Sequence, residues 1–110
     1  MQKSFVYITT NLNKTVLYTG VTNDIKRRLY EHESDSKTVK SSFAGKFNCY
    51  NLIYLEEFLD ISQAIYREKE IKGWTRKKKI DLINSLNKDW NFLIVLTERV
   101  RHPERREGTL

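Results

Sequence analysis

Two phenols, a guanidinium and a carboxylate stand in this chain at positions from which they could act on one phosphate ester: Tyr7, Tyr18, Arg28 and Glu68. Hydrolysis of such an ester needs a group that removes a proton from water, positive charge for the oxygens of the transition state, and relief for the leaving oxygen. An arginine suits the second task, because its planar fork matches two phosphate oxygens at once. A phenol, with an ordinary pKa near ~10, serves as a base at neutral pH only beside positive charge. His32 lies one helical turn beyond Arg28 and is a second group able to move a proton.

Each of these residues also has a purely structural use. An interior glutamate is commonly paired with a lysine or arginine, tyrosines on a sheet face are ordinary amphipathic core, and an isolated arginine or histidine can be a surface cation or a packing group. Their joint occurrence at this spacing is what favours chemistry.

The elements that must carry them are legible. Phe5 to Thr10 and Thr15 to Thr19 are runs of β-branched and aromatic residues separated by Asn11-Leu12-Asn13-Lys14, which predicts a hairpin. A loop centred on Leu12-Asn13 pairs positions whose numbers sum to 25, setting Tyr7 directly opposite Tyr18 on one face. A slip of one residue would separate them. Tyr50 to Phe58 reads as a third strand in which Leu52, Tyr54 and Glu56 alternate with Ile53, Leu55 and Glu57. Gly20 closes the second strand, and Thr22 or Asn23 caps a helix from about Asp24 to His32. On it Ile25, Leu29 and His32 share a stripe with Arg28 at its edge, while Arg27 points away. Asp60 followed by Gln63 opens a second helix that ends near Gly73, with Ala64, Ile65 and Ile71 inward, Glu68 among them and Glu70 outward. An inward carboxylate requires a partner. A third helix, about Thr75 to Asn87, buries Ile80, Leu82, Ile83 and Leu86. Trp90 to Leu96 is equally compatible with helix or strand.

The 110 residues, 39% hydrophobic and 12% aromatic, predict one compact domain with a modest core rather than two. The reading is therefore an α+β domain, a three-stranded mainly antiparallel sheet flanked by three or more helices, over residues 1–98, with a basic flexible tail over 99–110. A net charge of +6 favours anionic partners. The charge falls in two basic blocks, one over residues 1–46 and one over 66–79, on either side of an acidic stretch. Cys49 has no second cysteine to pair with, the N-terminus carries no apolar signal-like core, and no apolar run approaches membrane-spanning length. A cytoplasmic setting is expected.

The segments Phe5-Val6-Tyr7-Ile8, Tyr18-Thr19-Gly20-Val21-Thr22, Ile25 to His32, Tyr54 with Glu56-Glu57-Phe58, and Arg67 to Trp74 follow in order the pattern of small stand-alone GIY-YIG nuclease domains of bacteria. The match spans residues 3–87, and the interval from Tyr18 to Arg28 is the family's interval between its second tyrosine and its arginine. The chain departs from the pattern in both elements: Gly-Ile-Tyr reads Phe5-Val6-Tyr7 or, shifted, Val6-Tyr7-Ile8, so that only its tyrosine is kept, and Tyr-Ile-Gly reads Tyr18-Thr19-Gly20. It also lacks a clear counterpart of the asparagine that some larger members place after the acid, Asn84 being a loose match.

The resemblance implies a metal-dependent endonuclease acting on DNA. Glu68 would hold one Mg²⁺ or Mn²⁺, Arg28 would clamp the scissile phosphate, Tyr7 would take the proton of the attacking water, and Tyr18 would orient water or phosphate, with His32 sharing the base role. Lys37, Lys40, Lys46, Lys72, Arg76, Lys77 and Lys78 would contact the nucleic-acid backbone, although a run such as Arg76 to Lys79 is equally a solvated helix face. Without a recognition helix or zinc finger, structure-selective cutting is expected rather than reading of a sequence. The competing class is a non-catalytic nucleic-acid-binding module that keeps the fold.

Overall fold

The structure, a computed structural model, describes residues 3–37, 47–95 and 100–101. Strands β1 (Ser4–Thr10), β2 (Leu17–Thr22) and β3 (Asn51–Phe58) form one antiparallel sheet in the order β2-β1-β3, and helices α1 (Ile25–Lys37), α2 (Ile61–Lys72) and α3 (Arg76–Leu86) complete the α+β domain. A two-residue ladder, β4 (Ile94–Val95) with β5 (Val100–Arg101), follows. It gives part of the undecided segment to strand and carries pairing into the stretch assigned from composition to a tail.

All seven residues of the central strand β1 are buried, so both of its faces meet helices. Val6 and Ile8 join Ala64, Ile71 and Ile83 on the α2 and α3 side, whereas Phe5 and Tyr7 join Ile25 of α1 and Leu52 on the other. A β-bulge between Ile8 and Thr9 changes the parity of β3. Tyr54 and Ile53 consequently share the α2 side while Leu52 faces Tyr7, which corrects the strict alternation read from the sequence.

The hairpin register also differs from expectation. Phe5 pairs with Thr22, Tyr7 with Gly20 and Thr9 with Tyr18, so paired numbers sum to 27 rather than 25. The cause lies in the loop, where the Asn11 side chain accepts from the backbone N–H groups of Thr15 and Val16 and Lys14 takes a left-handed φ of 60°. A shift of two residues preserves the face, and Tyr7 and Tyr18 remain neighbours on the diagonal.

Local chemistry explains the helix ends. Asp24, rather than Thr22 or Asn23, accepts from the Arg27 N–H and starts α1, while the Thr22 hydroxyl accepts from the Asp24 N–H. Asp60 and Thr75 cap α2 and α3 through Ser62 and Lys78, and Gly73 ends α2 by donating to three of its carbonyls. The buried stripe of α2 is Ala64, Glu68 and Ile71, and that of α3 is centred on Ile83; Ile65 and Leu86, expected inside, are 39% and 70% exposed.

Candidate active site

The edge strand β2, the central strand β1 and helix α1 bring four side chains together. Tyr7 and His32 are almost wholly buried, and the Tyr7 hydroxyl lies 2.9 Å from His32 Nε2. The rings of Tyr7, Tyr18 and His32 form a triangle with centroids 6.2, 5.9 and 5.1 Å apart, Tyr18 meeting His32 edge-on. Arg28, one turn before His32, has its guanidinium within hydrogen-bonding reach of both phenol oxygens, and its Nη1 donates to Glu31 Oε1 at 3.0 Å. Arg27 instead lies outward between Asp24 and Glu31, at 3.8 and 3.9 Å. The sequence argument that Arg28 faces the sheet and Arg27 does not is thereby satisfied.

Gly20 makes room for this cluster. It is the cross-strand partner of Tyr7, whose ring lies across it. A methyl group there would come 2.9 Å from Tyr7 Cε2 and closer still to Cζ and the hydroxyl. Because no described glycine has a positive φ, space rather than backbone conformation requires glycine here.

Burial pushes the Tyr7 phenol well above its ordinary pKa, and neighbouring Tyr18 adds to this, while the hydrogen bond and charge of Arg28 oppose it without prevailing. Burial works to lower the pKa of Arg28, and its bonds to Tyr7 and Glu31 reverse that, so it is a permanent cation. An arginine has only donors, so toward Arg28 the Tyr7 oxygen can only be an acceptor, which leaves its own hydrogen to offer to an acceptor such as His32 Nε2. The phenol is thus neutral at rest, and its hydroxyl stands beside an imidazole nitrogen that accepts its hydrogen in the tautomer protonated at Nδ1.

The same physics sets an alkaline limit on stability. Burial pushes the Cys49 thiol from 9.0 up to about 11 and the Tyr54 phenol from 10.0 up to about 12, the latter helped by Glu56. Groups whose pKa is raised on folding stabilise the fold fully below the unfolded value and lose that contribution as pH rises toward the folded one. Denaturant midpoints should accordingly hold steady below about pH 9 and fall between about pH 9 and 12, with Cys49 accounting for up to ~2 kcal/mol. A Cys49→Ala variant measured across the same range should delay the onset of that fall by about one pH unit.

Glu68 sits elsewhere. Its side chain is 11% exposed on the stripe of α2 that packs toward Val6 and Ile8, the sheet face opposite α1, and its Oε2 is 2.5 Å from Lys72 Nζ. The structure therefore brings Tyr7, Tyr18, Arg28 and His32 into mutual contact, with Glu68 outside that contact set and already paired with a cation. α2 nevertheless packs against β2, the edge strand that carries Tyr18 and Gly20. Asn84, the loose match to the family asparagine, is occupied by the Trp90 indole N–H at 2.6 Å.

The basic residues are partly engaged with their own neighbours. Lys72 meets Glu68, Lys77 meets Asp81 at 3.3 Å, and Lys78 stands 4.4 Å from the centre of the Trp74 ring; Arg76 is exposed. Lys37 ends α1, and Lys40 and Lys46 lie outside the described residues. Lys72, Arg76, Lys77 and Lys78 occupy the corner between α2 and α3. Sequence reasoning overlooked Glu31, whose spacing of three from Arg28 was the available signal, and the need of Tyr7 for Gly20, which only the correct register reveals.

The model of the GIY-YIG catalytic domain matches residues 3–81. The chain belongs to the GIY-YIG family. A UPF0213 protein of Syntrophus aciditrophicus is 37% identical over 83 residues, covering 76% of this chain and 92% of the relative. A UPF0213 protein of Staphylococcus epidermidis is 34% identical over 83 residues, with 76% and 96% covered. Among solved structures, the solution NMR structure of a UPF0213 protein from Bacillus halodurans is similar with a TM-score of 0.50 at 27% identity, over 80% of this chain and 89% of that one. GIY-YIG domains are in general those of nucleases, and this chain has the small α+β fold of its UPF0213 relatives. None of the described helices is long and apolar enough to cross a membrane.

Proposed function

We propose that this protein is a metal-dependent endonuclease that hydrolyses DNA phosphodiester bonds, selective for the structure of its substrate more than for its sequence. The observation that carries the proposal is the cluster of Tyr7, Tyr18, Arg28 and His32, in which a guanidinium is held against two phenols and one phenol is bonded to an imidazole. A packing cluster has no need to hold a permanent cation against two phenols, one of them wholly buried.

In this reading Arg28 grips the scissile phosphate with the donors that Glu31 leaves unused. The Tyr7 oxygen takes a proton from the attacking water as its own hydrogen passes to His32 Nε2, so the phenol need never persist as an anion. Hydroxide then attacks phosphorus, the P–O bond to the leaving oxygen breaks, and that oxygen takes a proton from solvent. Tyr18, wedged edge-on against His32, orients the phosphate or the water.

The donor chemistry accommodates a divalent ion of one kind. Among the described residues no group of three or more His, Cys, Asp or Glu could cage a metal, which argues against a zinc-type site. A single inward carboxylate such as Glu68 fits Mg²⁺ or Mn²⁺, which keep most of their waters and take few protein ligands. When bound, the ion would supply positive charge to neutralise phosphate oxygens and lower the pKa of a bound water. A strand of nucleic acid laid along the β2 edge meets the phenols on one side and α2 on the other, and exposed Arg76 and neighbouring lysines add backbone contacts.

Purified protein incubated with plasmid and with branched and single-stranded oligonucleotides should cut in Mg²⁺ or Mn²⁺ and not in a chelator. Glu68→Ala should lower cleavage roughly 10²- to 10³-fold while leaving DNA affinity within about threefold, as measured by titration at two ionic strengths. Salt-sensitive binding with no cleavage by the wild type in either ion, unaltered in Glu68→Ala, is the behaviour of a non-catalytic binding module and would overturn the proposal.

A further inference from the structure

The two halves of the Glu68–Lys72 pair are anchored unequally. The carboxylate is held in the buried stripe between Ala64 and Ile71, its side chain 11% exposed, while the Lys72 side chain is 51% exposed. The ammonium ends a flexible stem of four carbons and can swing into water; the carboxylate cannot follow it. At 2.5 Å the ammonium already occupies the near side of Oε2. A second cation of like charge approaching that oxygen meets repulsion as well as attraction, so it can settle there only by exchange.

We infer that Lys72 is the resident counter-cation of Glu68, displaced outward when a divalent ion binds and thereby freed to contact a phosphate of the substrate. The inference rests on the proposed role of Glu68 toward the ion. Three observations carry it. The carboxylate is too buried to be left without a cation, and Lys72 one turn away supplies it. Glu68 belongs to no group of three or more potential ligands among the described residues, so an ion bound there depends heavily on this one carboxylate and competition for it matters. Lys72 is the last residue of α2 and Arg76 the first of α3, so the released charge emerges at the basic turn between the two helices.

Mn²⁺ binding without DNA, followed by electron paramagnetic resonance and by calorimetry, tests this on wild type, Lys72→Met, Lys72→Gln and Glu68→Gln, with thermal unfolding in parallel. Both Lys72 variants should bind Mn²⁺ roughly tenfold more tightly than wild type, since the ion no longer has to displace an ammonium. They should unfold at lower temperature than wild type without the ion and recover most of that loss with it; Glu68→Gln should bind none at this site and show no recovery. Equal or weaker Mn²⁺ binding in both Lys72 variants would overturn the exchange and leave the metal role of Glu68 standing. Absence of any Mn²⁺ binding that depends on Glu68, in wild type and Lys72 variants alike, would overturn both.

Discussion

Replacing Gly20 by alanine should destabilise the fold by about 2–4 kcal/mol and abolish whatever chemistry the Tyr7 cluster performs. The added methyl has no free space. It would meet Cε2, Cζ and the hydroxyl of Tyr7, a ring that is wholly buried and boxed in by Tyr18 and His32. Relief must come from the ring, because the backbones of Gly20 and Tyr7 are held by the pairing of β2 with β1, and any tilt breaks the 2.9 Å contact with His32. Overpacking of a well-filled site costs about 1–3 kcal/mol and a lost buried hydrogen bond about 1 more. Urea denaturation measures the loss. A double-variant cycle with Tyr7→Ala assigns it: with the ring removed, the cost of Gly20→Ala should nearly vanish. An undiminished cost in that background would show that something other than the Tyr7 ring demands glycine here.

The second large effect concerns Arg28. Arg28→Ala removes the permanent cation from the phenols, and with it the donors that would neutralise a phosphate in flight. Loss of one such preorganised donor typically costs about 10²- to 10³-fold in turnover. Arg27 is the matched control: it neighbours Arg28 in the chain, has the same charge and also pairs with Glu31, yet its side chain is 61% exposed against 37% for Arg28. Surface pairs of that kind are worth about 0–1 kcal/mol, so Arg27→Ala should change turnover less than about threefold. Both variants should keep the wild-type unfolding temperature within a few degrees, which separates a chemical defect from a folding one.

The parts of the fold written in local chemistry were legible in the sequence. Asp60 and Gly73, and Thr75 and Asn87, mark the ends of α2 and α3 through bonds made within a few residues, and such bonds are encoded by residue type. The facing of Arg28 follows from helical period alone. What escaped depends on partners distant in sequence or on loop detail. The loop side chain of Asn11 moved the hairpin by two residues; parity survived, so Tyr7 and Tyr18 still share a face. The bulge opposite Ile8 and Thr9 left no mark in a strand whose two faces are both apolar. Ile65 and Leu86 look like core on a helical wheel, but the sheet is narrow and touches only the central line of each helix. From the sequence Glu68 is inward and in need of a partner, but Lys72, four residues on, is assigned to the nucleic-acid backbone; the i,i+4 spacing was the available signal that the two pair.

Single-turnover cleavage of a labelled DNA in Mn²⁺ by wild type, Arg28→Ala and Arg27→Ala, run side by side, tests the central claim most directly. The account predicts a wild-type cut that Arg27→Ala preserves and Arg28→Ala nearly eliminates. Equal rates for the two variants, with wild type active, would contradict a site built on Tyr7, Tyr18, Arg28 and His32.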